Sequence, residues 1–171
     1  MMLDSVERFD MDKDMLALYE SAFSEVEKIP LENIKRALAK GGVLRAYYDD
    51  GCFIGMTFGF INDGKMFFVY FATVSEVRGR GYGSKILDML REENPNIRIF
   101  LVVEPCDVSA PDHEIRVRRQ DFYRRNGCIN TGIQVISDDE WFDTMFVQGE
   151  LSEKEMVDLV KLYEDIHNGR Q

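Results

Sequence analysis

Several residue types are scarce in this chain of 171 residues. It contains only two histidines, three cysteines, four prolines and one tryptophan. His113 and His167 lie far apart, and Cys52, Cys106 and Cys128 lack the spacing that metal ligands require. The composition therefore implies no metal site, and we expect the three thiols to be buried or half-buried.

Long apolar runs and targeting signals are also missing. No apolar run approaches the roughly 20 residues that a membrane-spanning helix needs. The first ten residues, MMLDSVERFD, lack the basic and apolar regions of a signal peptide. Together with the odd, widely spaced cysteines, these absences predict a cytoplasmic protein that does not associate with membranes.

Positive charge is in short supply as well. The chain has 21 Lys and Arg against 31 Asp and Glu, a formal net charge of −10, which argues against nonspecific binding to nucleic acid or anionic membranes. Residues 78–127 nevertheless carry ten basic and eight acidic side chains, which leaves −12 for the remainder. This contrast fits the docking of a polyanionic ligand, although a solvated charged helix would have the same composition.

What remains is the composition of one compact globular domain, with 45% hydrophobic residues and no repeats or flexible linkers. Periodicity and turn signals predict, in order, a helix at 12–23, a helix at 31–40, strands at 43–48, 52–61 and 66–74, a helix at 83–93, a strand at 97–103, a helix at 114–126, a hairpin of 129–136 and 141–148, and a helix at 153–167.

The arrangement of these elements predicts the fold class. Two Asp-Gly turns join the first three strands into an antiparallel group. The next unit, strand, helix and strand, should form a right-handed βαβ crossover with parallel strands. We therefore expect an α/β protein of the α+β type: one domain with a mixed, mostly antiparallel sheet flanked by helices, followed by an additional C-terminal helix.

The segment SEVRGRGYGS, residues 75–84, connects the third strand to the next helix. Its glycines at 79, 81 and 83 let a ligand approach the backbone, and amides at a helix N-terminus lack partners. An anion such as phosphate is the natural occupant, although a tight turn without a ligand would also use glycine. The spacing differs from the dinucleotide-binding GxGxxG, and the Lys-Ser/Thr of a P-loop is absent.

Two sequence blocks resemble the GNAT superfamily of N-acetyltransferases. The stretch from Val74 to Ser84 is similar to the acyl-CoA pyrophosphate loop, with the signature Arg/Gln-x-x-Gly-x-Gly/Ala after a strand ending in Val. Asp121 to Gly127 (DFYRRNG) resembles the later helix, in which a Phe/Leu-Tyr pair precedes Gly-Phe. The order and spacing of the two blocks make the resemblance more specific than either block alone.

The resemblance implies an activity and its participants. It implies transfer of an acetyl group from acetyl-CoA to a primary amine of a small molecule or peptide, by direct attack and without a metal. The protein would be a monomer or homodimer. A regulatory module that binds acyl-CoA without turnover is the alternative, and a purely structural partner protein that binds no CoA is a third possibility.

The resemblance also implies where the cofactor binds. Exposed backbone at the end of the third strand would pair with the pantetheine arm and polarise the acetyl carbonyl, and amides from Arg80 to Ser84 would hold the pyrophosphate. The implied cofactor-binding residues are Ala72, Thr73, Val74, Arg78, Gly79, Arg80, Gly81, Tyr82, Gly83 and Ser84.

Tyr123 and Glu104 are the candidate catalytic residues. The resemblance places the Tyr123 phenol opposite the thioester sulfur as general acid, whereas a plain tyrosine would only pack against the sheet. Glu104, just beyond a strand, could accept the amine proton directly or through water, or it could pair with a neighbouring arginine. Arg116 and Arg119 replace residues that are often Asn and Ala in the family. They could bind phosphate or an anionic acceptor, or face water.

The resemblance divides the chain by role. Residues 1–64 would form the acceptor side, with substrate contacts expected at Phe23 to Pro30, and residues 65–127 the acetyl-CoA-binding core. Residues 128–150 would form a C-terminal hairpin. Residues 151–171 would add an amphipathic helix that packs on the domain or on a second subunit.

Overall fold

The computed structural model describes residues 1–170, which form one mixed sheet with helices on both faces. The elements are β1 (Leu3–Arg8), α1 (Lys13–Ala22), α2 (Leu31–Leu38), β2 (Gly42–Asp49), β3 (Cys52–Asn62), β4 (Lys65–Thr73), a 3-10 turn (Ser75–Val77), α3 (Tyr82–Glu93), β5 (Arg98–Val103), α4 (His113–Arg125), β6 (Ile129–Ser137), β7 (Glu140–Gln148) and α5 (Glu153–His167).

The order of the strands confirms the predicted fold class. Seven strands lie in the order β1-β2-β3-β4-β5-β7-β6. The β4–β5 pair is parallel, as the βαβ unit predicts, and the other five neighbouring pairs are antiparallel. Both Asp-Gly dipeptides form the two-residue turns expected of them.

Side-chain caps fix the starts of two helices. The carboxylate of Asp12 accepts a hydrogen bond from the Met15 amide at 3.0 Å at the start of α1. Ser152 and Glu155 form a reciprocal capping box at the start of α5. These caps satisfy amides that the first turn of a helix leaves without partners.

Strand β1 is the main element that the sequence patterns do not predict. It pairs with β2 along its whole length as an edge strand. Its sequence, LDSVER, contains only two apolar residues, Leu3 and Val6, and Val6 is exposed. Its place in the sheet comes from backbone pairing, which leaves little trace in side-chain hydrophobicity.

The sheet separates two apolar layers. Helices α1, α2 and α5 cover one face, over the largest buried cluster. Helices α3 and α4 contribute to the clusters on the other face. Helix α5 therefore packs on the sheet of its own chain, and its buried residues are Met156, Leu159, Val160, Tyr163, Ile166 and His167.

The predicted burial of the cysteines is wrong for two of the three. Cys52 and Cys106 are exposed, and Cys128 is buried. Cys52 directly follows the first Asp-Gly turn, and Cys106 lies in the link between β5 and α4, so both are at the surface where the chain reverses direction.

Residues 1–170 contain neither a membrane-spanning helix nor a cluster of metal ligands. Among the helices of residues 1–170, none combines the length and the apolarity needed to cross a bilayer. Within the same range, no group of three or more His, Cys, Asp and Glu side chains could hold a metal ion.

Candidate active site

A gap opens between β4 and β5 because the two strands pair only over their first four residues. The parallel ladder ends at the Phe68–Leu101 pair. Strand β4 continues to Thr73 and β5 to Val103 without further pairing to each other. The C-terminal ends of the two strands therefore leave backbone groups available to a ligand.

A β-bulge lies at the point where the strands separate. Phe58 of β3 pairs with Tyr70, but the next residue, Gly59, pairs with Phe68, so that Val69 has no partner on β3. A bulge bends its strand and increases the local twist. The bulge follows directly after the last β4–β5 pair, so the two strands stop pairing where β4 bends.

The hydrogen bonding of β4 shows which backbone groups face the gap. The Val74 amide donates to the Ile54 carbonyl of β3 at 2.8 Å. Since successive residues of an antiparallel strand alternate in direction, Ala72 also turns its backbone groups toward β3. Thr73 and Phe71 turn theirs toward the gap. Of the three residues predicted to meet the pantetheine arm, Thr73 thus faces the gap, and Phe71 faces it as well.

Four consecutive amides project from the start of α3. Those from Gly81 to Ser84 have no acceptor among the residues that the structure describes, and the first helical donor after them is Lys85, bonded to the Gly81 carbonyl at 3.1 Å. The Arg80 amide, also predicted to hold phosphate, instead donates to the Val77 carbonyl at 3.3 Å. The unpaired amides form an anion-binding surface at a helix N-terminus.

Glycine is required for the shape of this loop. Gly79 and Gly81 have φ values of +77° and +84°, in the left-handed region. Side chains with a Cβ rarely adopt this conformation, so the alternate glycines allow the reversal that exposes the amides.

Side chains tie the loop to the sheet on two sides. The Tyr82 hydroxyl donates to the Asp49 carboxylate of β2 at 2.5 Å. This bond raises the pKa of Tyr82 and lowers that of Asp49. The Arg78 guanidinium donates to the Thr73 carbonyl at 3.4 Å, although its side chain is mainly exposed.

Tyr123 lies on α4, on the same face of the sheet as α3. Its ring packs edge-on against Phe122, with 5.4 Å between the centroids, and its hydroxyl forms no hydrogen bond within residues 1–170. Burial raises the pKa of Tyr123, and the nearby Arg119 opposes this effect. The side chain is therefore a protonated phenol whose O–H is available to a ligand.

Glu104 follows β5 and is held by two arginines of α4. Its Oε2 lies 2.8 Å from a guanidinium nitrogen of Arg116, and its Oε1 lies 3.1 Å from one of Arg119. Arg116 also pairs with Asp112 at 2.9 Å. Glu104 thus pairs with neighbouring arginines, which is the alternative to a catalytic role. Both of its carboxylate oxygens are engaged in ion pairs.

The α1–α2 loop lies against β4 on the other face of the sheet. The Tyr70 hydroxyl donates to the Glu27 carbonyl at 2.5 Å. The Tyr19 hydroxyl donates to the Ile29 carbonyl and accepts from the Ile29 amide, both at 2.8 Å. These bonds fix the loop, predicted to contact the substrate, next to the bulged part of β4.

The family comparison agrees with this geometry. The sequence profile of the Acetyltransferase (GNAT) family matches residues 10–127, more than half of the chain. The protein belongs to the GNAT family. The matched range includes the gap, the free amides and Tyr123, whereas β6, β7 and α5 follow it. No curated protein matches the sequence.

Solved structures share the GNAT fold along most of the chain. A GNAT-family protein from Bacteroides thetaiotaomicron has a TM-score of 0.70 at 24% identity, over 91% of this chain and 89% of its own. A Bacillus subtilis acetyltransferase in complex with CoA has a TM-score of 0.61 at 8% identity, over 87% and 100%. An aminoglycoside 6'-N-acetyltransferase complexed with coenzyme A has a TM-score of 0.58 at 13% identity, over 89% and 100%.

Proposed function

We propose that this protein transfers an acetyl group from acetyl-CoA to a primary amine of a small molecule or peptide by direct attack on the thioester. The proposal rests on two features that occur together. The four amides from Gly81 to Ser84 have no acceptor among residues 1–170, and a gap lies between β4 and β5. A diphosphate fits the first and an extended pantetheine arm fits the second. Membership of the GNAT family supports the assignment.

The chain offers a set of groups for each part of the cosubstrate. The amides from Gly81 to Ser84 bind the diphosphate, and the exposed Arg78 and Arg80 side chains add positive charge beside it. Backbone groups of Thr73 and Phe71 pair with the pantetheine amides and orient the acetyl carbonyl. When bound, acetyl-CoA supplies an acyl group already activated as a thioester.

We propose Tyr123 as the general acid. Its hydroxyl has no partner in the described chain, and burial keeps it protonated. A phenol next to the departing sulfur donates its proton to the thiolate and so prevents reversal of the attack. Glu104 instead orients Arg116 and Arg119, because a carboxylate engaged on both oxygens must lose an ion pair before it accepts a proton.

The acceptor enters from the side of residues 1–64 in this proposal, and residues 65–127 form the cosubstrate core. The α1–α2 loop, anchored to β4 through Tyr70, borders the gap on that side. An amine held there would meet the thioester carbonyl from the face of the sheet opposite α3 and α4.

The activity is tested by measuring acetyl-CoA-dependent formation of CoA with spermidine, kanamycin, lysine and an alanyl peptide. CoA should be separated by chromatography, because the exposed Cys52 and Cys106 would react with thiol reagents. Calorimetry measures acetyl-CoA binding in parallel. Amine-dependent release of CoA supports the proposal.

A regulatory module without turnover is the second candidate, favoured by the engagement of both Glu104 oxygens in ion pairs. Tight binding of acetyl-CoA with no acetylation of any of the four amines would support this candidate. Absence of binding would contradict both candidates and leave a structural role.

A further inference from the structure

Glu27 has a fixed place beside the gap, set by contacts of its backbone. Its carbonyl accepts the Tyr70 hydroxyl, and Tyr70 follows the bulge at which β4 leaves β5. Its amide donates to the Ser24 hydroxyl at 3.3 Å, and the Lys28 amide donates to the Ser24 carbonyl at 3.0 Å. The turn at Ser24 and strand β4 therefore both fix the backbone position of Glu27.

The charges that act on the Glu27 carboxyl come from the other side of the gap. They belong to Arg119 of α4 and to Glu104 and Asp112 between β5 and α4. Arg119 also acts on Tyr123. The charge of Arg119 thus acts on both Glu27 and the candidate general acid.

Glu27 differs from Glu104 in being available. Its carboxylate forms no ion pair within 4.0 Å in the described part of the chain, whereas each oxygen of Glu104 has an arginine. The side chain contacts solvent, yet the surrounding protein raises the pKa of Glu27, with Arg119 opposing the rise. A carboxylate that is free of ion pairs and has a raised pKa is suited to accept a proton from a bound amine.

We propose that Glu27 is the base of the acetyl transfer: it binds the ammonium group of the acceptor and takes one of its protons. This inference rests on the acetyltransferase function proposed above. It assigns a residue outside both sequence blocks and adds a substrate property, since the acceptor is then an amine that is cationic in solution.

The proton balance of the reaction is closed by two residues. Glu27 removes one proton from the ammonium group and passes it to water. The neutral nitrogen forms its bond to the acetyl carbon, and the carbon–sulfur bond breaks. The thiolate takes the proton of the Tyr123 hydroxyl, and the second proton lost by the nitrogen restores that hydroxyl. The products are an amide, CoA with a free thiol, and one proton in solution.

The test compares Glu27→Gln with the wild type across pH, using the four amines named above. Glutamine keeps the backbone carbonyl that Tyr70 needs. We expect kcat/KM for the amine to fall by about 100-fold and to lose its decline at acid pH, with the dissociation constant of acetyl-CoA unchanged. Glu25→Gln is the matched control, because Glu25 lies in the same loop and its partner Lys28 keeps its second contact, Glu20.

The outcomes separate this inference from the function on which it rests. Wild-type turnover with an unaltered Glu27→Gln profile overturns the assignment of Glu27 and leaves the function standing. Loss of the acid limb in Glu104→Gln, with the limb retained in Glu27→Gln, would transfer the role to Glu104. Acetyl-CoA binding by the wild type without turnover of any amine overturns both.

Discussion

Gly83 touches the ring of Phe122: a Cβ built on this glycine would lie 3.0 Å from the Cζ atom of Phe122. The contact joins the free amides at the start of α3 to the residue that precedes Tyr123 on α4. Phe71 of β4 completes the junction, with its ring centroid 6.1 Å from that of Phe122. One small packing unit thus sets the separation between the proposed anion site and the proposed acid.

Gly83→Val should disturb this separation. The added side chain displaces the Phe122 ring, which we expect to cost about 1–3 kcal/mol of unfolding free energy. Acetyl-CoA should bind roughly 10-fold more weakly, as measured by calorimetry, because the displaced helix no longer aligns its amides. Asp88→Val, on the exposed side of the same helix, is the control. Equal affinities for the two variants would contradict the prediction.

Tyr123→Phe should reduce kcat by about 100-fold or more while leaving acetyl-CoA affinity nearly unchanged. Because the hydroxyl has no partner within residues 1–170, its removal should change unfolding free energy by less than about 0.5 kcal/mol. Burial raises the pKa of Tyr123, so in the wild type this phenol should remain protonated up to about pH 10.

Tyr82→Phe is the comparison for that variant. It loses the bond to Asp49 and should affect cosubstrate binding more than the chemical step. Unchanged turnover in Tyr123→Phe would exclude the phenol from the mechanism.

Tyr70→Phe should separate the acceptor side from the cosubstrate side. The change leaves the Glu27 carbonyl without its donor and should cost about 1–3 kcal/mol of stability. It should also lower kcat/KM for the amine at constant acetyl-CoA affinity. Tyr48→Phe removes a comparable bond, from Arg8 at 2.8 Å, on β2. A parallel loss of acetyl-CoA affinity in Tyr70→Phe would show that the loop serves the whole site.

The end of α5 should make stability depend on pH. Burial lowers the pKa of His167, whose Nε2 is buried without a hydrogen-bond partner among residues 1–170 and whose ring lies 4.7 Å from that of Tyr163. Asp138 opposes this shift, while Arg36 and Arg170 reinforce it. The unfolded chain therefore takes up the proton first, and the contribution of His167 to stability is lost as pH falls below about 6.5.

Urea unfolding at pH 7.5 and 5.5 measures this loss. His167→Gln should lose less stability than the wild type over that interval, because its side chain does not titrate. His113→Gln, at the other histidine of the chain, is the control. Identical losses in the wild type and in His167→Gln would contradict the prediction.

The sequence predicts the secondary structure well wherever side chains determine it. The Asp-Gly turns, the caps at Asp12 and Ser152, and the parallel pair around α3 all depend on local chemistry and are confirmed. Strand β1 escapes prediction because its pairing uses backbone groups that any sequence carries. The exposed Cys52 and Cys106 show that residue type alone is a poor guide to burial near turns.

The site is harder to predict because its key groups are backbone atoms, and the sequence does not show in which direction they point. Successive residues of a strand turn their backbone groups in opposite directions. Counting this alternation along β4 from its hairpin with β3 would assign the wrong residues to the gap, because the extra residue Val69 shifts the count by one. The family resemblance implies Ala72 to Val74 for this role, whereas the hydrogen bond of Val74 indicates that Thr73 and Phe71 face the gap. Glu27 has no sequence signal beyond its loop, since the tyrosine that anchors it lies 43 residues away.

The position of β7 between β5 and β6 has a consequence for how the protein is made. Strand β5 forms four pairs with β4 and depends on β7 for its other edge, yet β7 is encoded some 40 residues later, at Glu140–Gln148. Until the ribosome has produced those residues, one edge of β5, the strand that borders the gap, has no partner strand. The part of the sheet that borders the gap must therefore wait for β7 before it can take its final shape.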